Sequence, residues 1–434
     1  MPRNRIIYNT QDIFCGPSDL YDFKLLYNTH ILQRLDRVQS ASYSVDYPRI
    51  DIGSVGRRDH IQVQNGPPSV SLSYQYLVSD IANEIRCGLS PCYNINGILQ
   101  SSSSGNFFDS TSSEDKSRDS RNFYLVASKT ASDLRTYLGA IHTGTSGSFF
   151  DVLDSQATGY NLICFVSSYL KSYSMAASVG DFLKVDMSYD CDSLAIYNSA
   201  SGQYVPVLDS VSGTLISNPI QIALPKPYQN PNQPTVLRPG DITISYLSDY
   251  GYNFNDASFD WDDLKVQNFN WSVNIERTPI SYLGEKLYCA RPARNPIVSN
   301  FSFGGLVGDY KSGFLGSFFL DDTYRSGHFI ITIRNPLTGL QNYQQTALRI
   351  EAKGAKILNF GTSESIGSNK AFNLAFSCEN SPDDLATYGV FVSGVVANPQ
   401  VFSGVLTTEA GEYITWEDGS IMRLEDIVIT PNTF

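Results

Sequence analysis

The chain has 434 residues, a mass of 48.0 kDa, and 31 basic against 43 acidic side chains, a net charge of −12. That length suits two or three domains, and the charge argues against a tight, sequence-independent grip on nucleic acid, which needs a basic face. No stretch approaches the roughly 20 apolar residues that cross a bilayer, and the opening MPRNRIIYNT lacks the apolar core of a secretion signal, so neither a membrane protein nor a secreted one is expected.

Charged residues are 17% of the chain, below the roughly 25% of an average soluble domain. Seven cysteines (Cys15, Cys87, Cys92, Cys164, Cys191, Cys289, Cys378) are scattered and odd in number. They read as buried free thiols of a reducing compartment, not as a disulfide framework. Cys87 and Cys92 form the one close pair, without the second pair or near His that a zinc site needs.

In chain order, Ser69–Leu77 places Val70, Leu72, Tyr74 and Tyr76 on one face of a predicted strand. Ser79 to Leu89 reads as a short helix, with Ser79 or Asp80 as cap and Gly88 as stop. The stretch 101–120 is Ser-rich and polar, so an exposed loop is expected. A second helix is predicted from Ala131. Phe182–Tyr189 and Phe329–Ile333 again alternate, rich in β-branched and aromatic residues. Pro225 to Gly240 carries five prolines and reads as an extended connector near mid-chain. The fold class is mainly β: sandwich- or barrel-like modules with short flanking helices.

The connector divides the chain into 1–220, 221–240 and 241–434, and the two large parts resemble each other. Val38–Gly56 lies over Val266–Gly284 at an offset of 228, with identities at Val38/Val266, Gln39/Gln267, Ser44/Ser272, Val45/Val273, Arg49/Arg277, Ile52/Ile280 and Gly56/Gly284. The same offset matches Pro68-Ser-Val-Ser71 to Pro296-Ile-Val-Ser299, and one inserted residue then brings Leu77 over Leu306. A second block pairs Gly180 with Gly367 and Cys191 with Cys378, eleven residues apart in each copy, with Val185/Phe372, Met187/Leu374 and Tyr189/Phe376 in phase between them. Two ordered blocks in register point to a tandem duplication, with the Ser-rich stretch as an insertion in the first copy.

Chemistry is sparse. The four His residues (His30, His60, His142, His328) stand far apart, no phosphate-binding Gly loop is present, and Asp262-Asp263, Asp321-Asp322 and Glu417-Asp418 are adjacent acids, which point to opposite faces on a strand. Arg57-Arg58-Asp59-His60 offers a phosphate contact or a loop salt bridge. No catalytic residue, metal ligand or cofactor is assigned. Arg49 and Arg277 read either as anchors between modules or subunits, through carboxylate pairing, or as surface residues. Gly56 and Gly284 read as turns or bulges. Asp241–Lys265 and Glu409–Asp426 each hold six acids and one base, together −10 of the net −12.

Arg5 to Ser18 and Leu35 to Arg49 resemble the amino-terminal regions of tail tube proteins of tailed bacteriophages. The shared pattern is Arg37-Val-Gln-Ser40 feeding an alternating strand, then Gly56, then Pro68-Ser-Val70, with a weaker copy at Lys265 to Asn268, Gly284 and Pro296 to Val298. The resemblance covers about a third of the chain; the Ser-rich insertion and acidic carboxyl terminus depart from it. It implies two-sheet β modules, duplicated in tandem, that assemble as rings around a channel for DNA ejection, three chains making a pseudo-sixfold ring. It further implies stacked homo-oligomeric rings, terminator, tape measure or baseplate proteins as partners, viral DNA passing through without specific binding, and a virion location after assembly in the host cytoplasm. A sheath, short-tail, connector or baseplate protein on the same module remains open. So does a receptor- or glycan-binding β protein or a glycan-cleaving enzyme, which would use exposed aromatic clusters or an acid pair.

Overall fold

Alternation in sequence becomes alternation in burial. In Ser69–Leu77, Val70, Leu72, Tyr74 and Tyr76 are buried while Ser71, Ser73 and Gln75 stay half-exposed, because successive side chains leave a pleated strand on opposite faces. The computed structural model describes residues 11–17, 33–47, 49–52, 62–65, 69–93, 107–108, 120–128, 150–152, 160–198, 204–205, 220–221, 223–225, 236–237, 242–248, 264–280, 290–307, 326–334, 346–363, 371–380 and 388–394. The helix expected from Ala131, the acidic stretches 249–263 and 409–426, Gly56, Pro68, Gly284 and Gly367 lie outside the described residues.

Among the described residues, fifteen strands join in one sheet, and twelve of them frame it. The first six are β1 (Gln11–Pro17), β2 (Val38–Asp46), β3 (Ser69–Leu77), β4 (Ser120–Ser128), β5 (Tyr160–Ser178) and β6 (Lys184–Asn198). The second six are β7 (Ile242–Ser248), β8 (Leu264–Asn274), β9 (Ile297–Val307), β10 (Ser326–Arg334), β11 (Thr346–Ser363) and β12 (Ala371–Asn380). All frame pairings are antiparallel. The first set runs β1-β4-β5-β6-β3-β2 and the second β7-β10-β11-β12-β9-β8, so adding six to each label of the first order yields the second.

The irregularities repeat as well. Gln39 bulges out of the β2–β3 ladder and Gln267 out of β8–β9; Lys171 bulges from β5–β6 and Leu358 from β11–β12. The β4–β5 ladder skips Val166-Ser167, and β10–β11 skips Lys353-Gly354, with positive φ at Ser167 (47°) and Gly354 (70°). A bulge re-aims a strand and raises its twist, so matching bulges bend the two halves alike.

Register also corrects one detail of the sequence alignment. Val45 faces Val70, and Val273 faces Ser299, not Val298. Bulge-to-bulge register therefore sets Pro68 against Ile297 instead of Pro296, and the extra residue of the second copy precedes β9. A one-residue slip reverses the faces of a strand: Val70 and Ser299 are buried, whereas Val298 is half-exposed.

Each half folds over itself into two layers. Phe123 on β4 packs on Tyr74 (5.8 Å) of β3 and Tyr189 (4.6 Å) of β6. In the second half Phe329 on β10 packs on Phe301 (4.7 Å) of β9 and Phe376 (5.2 Å) of β12. Cys15, Cys87, Cys164, Cys191 and Cys378 are buried free thiols. The predicted first helix is α1 (Ala82–Arg86), where Asp80 accepts the Ala82 N–H at 3.2 Å. It ends at Gly88, whose φ of +87° suits glycine. Arg86 pairs with Asp36 at 2.6 Å, and Asn83 exchanges hydrogen bonds with the Asp36 backbone, fastening α1 to the turn that enters β2.

Two expectations are corrected at particular residues. The Ser-rich stretch is not simply an exposed loop: Phe107 and Phe108 within it are buried, and both rings contact Tyr173 and Trp271. The Phe107 N–H donates to the Val390 carbonyl at 2.9 Å. Two apolar rings outweigh the polarity of their neighbours because burying each contributes about 1.5–3 kcal/mol. The Pro-rich connector likewise ends in packed residues, with Leu237 buried and its N–H bonded to the Val78 carbonyl at 2.9 Å.

Two predictions follow from these packings. Phe107→Ala is expected to cost about 3–5 kcal/mol, and deletion of 101–119 to destabilise the whole fold, as measured by denaturant unfolding. The second concerns Glu84, buried on α1 and accepting the Tyr76 hydroxyl at 2.6 Å. Burial pushes its carboxyl up from an ordinary value of 4.5 to about 8. The folded chain then holds a proton that the unfolded chain releases, so Glu84 lowers stability progressively as pH rises from 4.5 to 8. Comparison of unfolding midpoints across that range should show this loss in the native chain and its removal in Glu84→Gln.

Candidate assembly interface

The two halves meet edge to edge. Strand β5 has β6 on one side; on the other, its first part (Tyr160–Tyr169) pairs with β4 and its last part (Ser172–Ser178) pairs with β8. Ladder ends are closed by Ile275 N–H donating to the Lys171 carbonyl and Val179 N–H to the Gln267 carbonyl, each 2.8 Å. The bulges at Lys171 and Gln267 thus present the carbonyls that close the junction, which gives Gln267 a structural role. Gly180, at φ +89°, makes the turn from β5 into β6.

Trp271 fills the junction. It is fully buried opposite Met175, stacks on Phe301 (5.6 Å, 6° between planes) and touches Tyr173 at 5.0 Å. Beyond it, Arg277 of the second half reaches into the first. Its Nε donates to the Leu170 carbonyl at 2.9 Å, its Nη1 to the Arg291 carbonyl at 2.7 Å, and its guanidinium lies 5.3 Å from the Tyr169 ring. Arg291 covers the same ring at 5.9 Å and forms a buried ion pair with Asp192 at 2.9 Å. These described partners of Arg277 are two carbonyls and a ring. A planar cation suits both kinds of partner.

Arg49 has the matching backbone place. It pairs with Asn65 as Arg277 pairs with Ala293, and Ile52 pairs with Gln62 as Ile280 pairs with Ala290. Cys191 and Cys378 match too: Cys191 faces Val70 and Cys378 faces Ser299. Among the residues singled out from sequence, Gln267 and Arg277 touch the first half across the junction and Gly180 makes the adjacent turn, while Val38 and Gln39 lie on the far edge. Sequence reasoning missed Trp271, Tyr169, Arg291 and Asp192. Phe269-x-Trp271-x-Val273 alternation was available to find Trp271; the others come together from distant positions.

Away from the core, the junction carries one polar face across both halves. Following direct cross-strand neighbours, Ser40, Gln75, Asp186, Ser174, Ser272, Asn300 and Ser377 form a continuous row over seven strands. Neighbouring rows add Ser42, Ser73, Ser188, Ser172, Asn270, Ser302 and Asn274. Their side chains are short and mostly uncharged. Nearby lysines have acid partners: Lys184 with Asp181 at 2.5 Å, Lys171 with Asp190 at 3.2 Å and Lys356 with Glu379 at 3.5 Å. Among the described residues, no cluster of three or more His, Cys, Asp or Glu could hold a metal ion, and no helix is long and apolar enough to cross a membrane.

No protein-family model matches the chain, and no curated protein does. Among solved structures, a chain from the virion of a native gene transfer agent particle is similar at 12% identity and a TM-score of 0.22, with 36% of this chain and 97% of that one covered. A chain of the anti-feeding prophage baseplate is similar at 11% identity and a TM-score of 0.26, with 38% of this chain and 98% of that one covered.

Arg277→Ala should loosen the junction. Losing two charged hydrogen bonds to carbonyls predicts a cost of about 2–4 kcal/mol, read as faster hydrogen exchange at the Ile275 and Val179 amides than elsewhere in the sheet. Unchanged protection at those amides would identify Arg277 as a surface residue without an anchoring role.

Proposed function

We propose that the chain is a structural subunit of a phage-type virion, a tail tube protein whose two tandem modules assemble into stacked rings around a DNA channel. The observation that carries this reading is the repeated six-strand frame, bulges included, whose halves join through a heterologous edge contact and share one smooth polar face. Heterologous contacts generate rings when the rotation closes. The role is scaffolding, not catalysis.

Geometry favours a tube over a sheath. Each module offers four neighbouring strands to a common sheet (β2, β3, β6, β5 and their counterparts). Three chains, or six modules, would supply about 24 strands. At about 4.8 Å per strand and about 40° of tilt, that closes a barrel about 48 Å across the backbone. Short Ser and Asn side chains would leave a bore about 38 Å wide, roomy for a DNA duplex and too narrow for another protein tube. A lining of neutral hydroxyls and amides with a few acids releases few counterions, so DNA slides without being held. The partners in this reading are further copies of the chain, terminator, tape measure or baseplate proteins, and viral DNA in transit, in a virion assembled in the host cytoplasm. A baseplate or connector ring on the same module is the second reading, favoured by the same heterologous edge.

Electron microscopy of the purified chain should show rings or tubes with threefold or pseudo-sixfold end views. The assembled wild type should not retain duplex DNA at 0.15 M salt, while Ser73→Arg with Asn300→Arg should bind it in a strongly salt-dependent way. Dispersed monomers, or tight DNA binding by the wild type, would overturn the tube reading.

A further inference from the structure

The repeat leaves each junction partner with a counterpart at an end of the frame. Strand β8, which seals the junction inside the chain, corresponds to β2, the last strand of the sheet path, with β3 as its strand neighbour there. The closing part of β5 corresponds to Asn359–Ser363 of β11, beside which β12 is the described strand neighbour. Matching bulges fix the correspondence residue by residue: Lys171 with Leu358, Gln267 with Gln39.

Exposure marks the same two edges. On β8 the inward positions are closed, with Trp271 at 0% and Ile275 at 2% exposure. Their counterparts, Tyr43 at 44% and Tyr47 at 66%, are open, and so is Leu358, at 60%. Three large apolar side chains therefore stand exposed at the places whose equivalents are covered inside the chain or form its bulge. Edge strands with apolar side chains invite pairing. Here the chain itself displays the complementary strand.

We infer that the occupant is a second copy: β2 of one chain pairs antiparallel with Asn359–Ser363 of the next, reproducing the β5–β8 ladder between molecules. This rests on the ring-forming reading above and specifies its seam. The register follows from Ser174 facing Ser272. It sets Gly361 of one chain opposite Ser44 of its neighbour, Thr362 opposite Tyr43, Asn359 opposite Asp46, and the Leu358 bulge against Tyr47. The internal ladder bonds Ile275 to Lys171 and Val179 to Gln267, so Ser174 and Ser272 occupy a non-hydrogen-bonded pair, where antiparallel strands approach closest. Ser44 and Gly361 inherit that geometry, and a Cβ built on Gly361 meets nothing within 4 Å.

The test uses two full-length single variants, Ser44→Cys and Gly361→Cys, mixed before assembly and oxidised mildly. A disulfide that needs one of each can form only between chains. The expected result is a dimer-mass band on a non-reducing gel, with the two engineered cysteines joined in the mass-mapped peptide pair. That band should be absent from either variant alone, from the wild type, and from Ser44→Cys mixed with the out-of-register Thr362→Cys. Ser174→Cys with Ser272→Cys in one chain confirms that this ladder position accepts a disulfide. A companion variant, Tyr43→Asp with Tyr47→Asp, alters residues exposed in the single chain. It should keep the native circular dichroism spectrum and lose assembly. Rings without the crosslink would overturn this seam and leave the tube reading standing. Crosslinked chains that never close into rings or tubes would support the seam and overturn the tube. Monomers without a crosslink would overturn both.

Discussion

Strand β5 has more edge than its own half can satisfy. It is 19 residues long, and β4 pairs with the first part only, from Tyr160 to Tyr169, with a register shift at Val166-Ser167. The remaining backbone groups need partners, because an unpaired N–H or C=O buried from water costs as much as a lost hydrogen bond. Strand β8 supplies them, and with it comes everything that makes the two halves one sheet: Trp271 under the seam, Arg277 reaching to Leu170, and the Arg291–Asp192 pair behind Tyr169. The long strand thus creates an open edge, and the repeat supplies an element to close it.

The same view separates what could be read from the sequence from what could not. The strand Ser69–Leu77 was legible because its pattern is local and one face is buried, so every second residue announces its side. Gly88 and the short helix were legible for a similar reason. Register between copies was less so: Pro68-Ser-Val-Ser71 and Pro296-Ile-Val-Ser299 look alike, yet the ladder shifts them by one residue, since pairing answers to which face is buried and not to identity. Phe107 and Phe108 were hidden by composition. Serine and acidic neighbours dominate any average over 101–120, while two rings decide where the segment goes. Arg291 and Asp192 are nearly a hundred residues apart, and no spacing rule brings them together.

Low charge, the first unusual feature of the composition, finds a physical meaning on the non-core face. An ordinary sheet exposed to water carries Lys, Glu, Arg and Thr on its outer positions. Here the outer positions of β2, β3, β5, β6, β8 and β9 are largely Ser, Asn and Gln, with Asp186 and Asp190 among them. In the proposed tube, short neutral side chains would not reach across the channel and would offer phosphate no fixed cation. Among the described residues, Lys171, Lys184 and Lys356 near that face sit beside carboxylates, which offset their positive charge.

In the proposed assembly a chain must also stay soluble before it meets another copy. A long, flat apolar edge would aggregate, and β2 avoids this without giving up the ability to pair. Its outer positions are Ser42, Ser44 and Asp46, its start is twisted by the Gln39 bulge, and Tyr43 keeps an edge-on contact with Phe165 at 5.5 Å. The internal junction faces no such conflict, since it forms during folding of one chain, and there the equivalent sites hold Trp271 and Ile275. Tyrosine in place of tryptophan and isoleucine keeps a large apolar ring and adds a hydroxyl that water can satisfy. In the proposed assembly the two junctions differ for a reason: the internal one closes during folding of one chain, while the other stays exposed until a neighbour arrives.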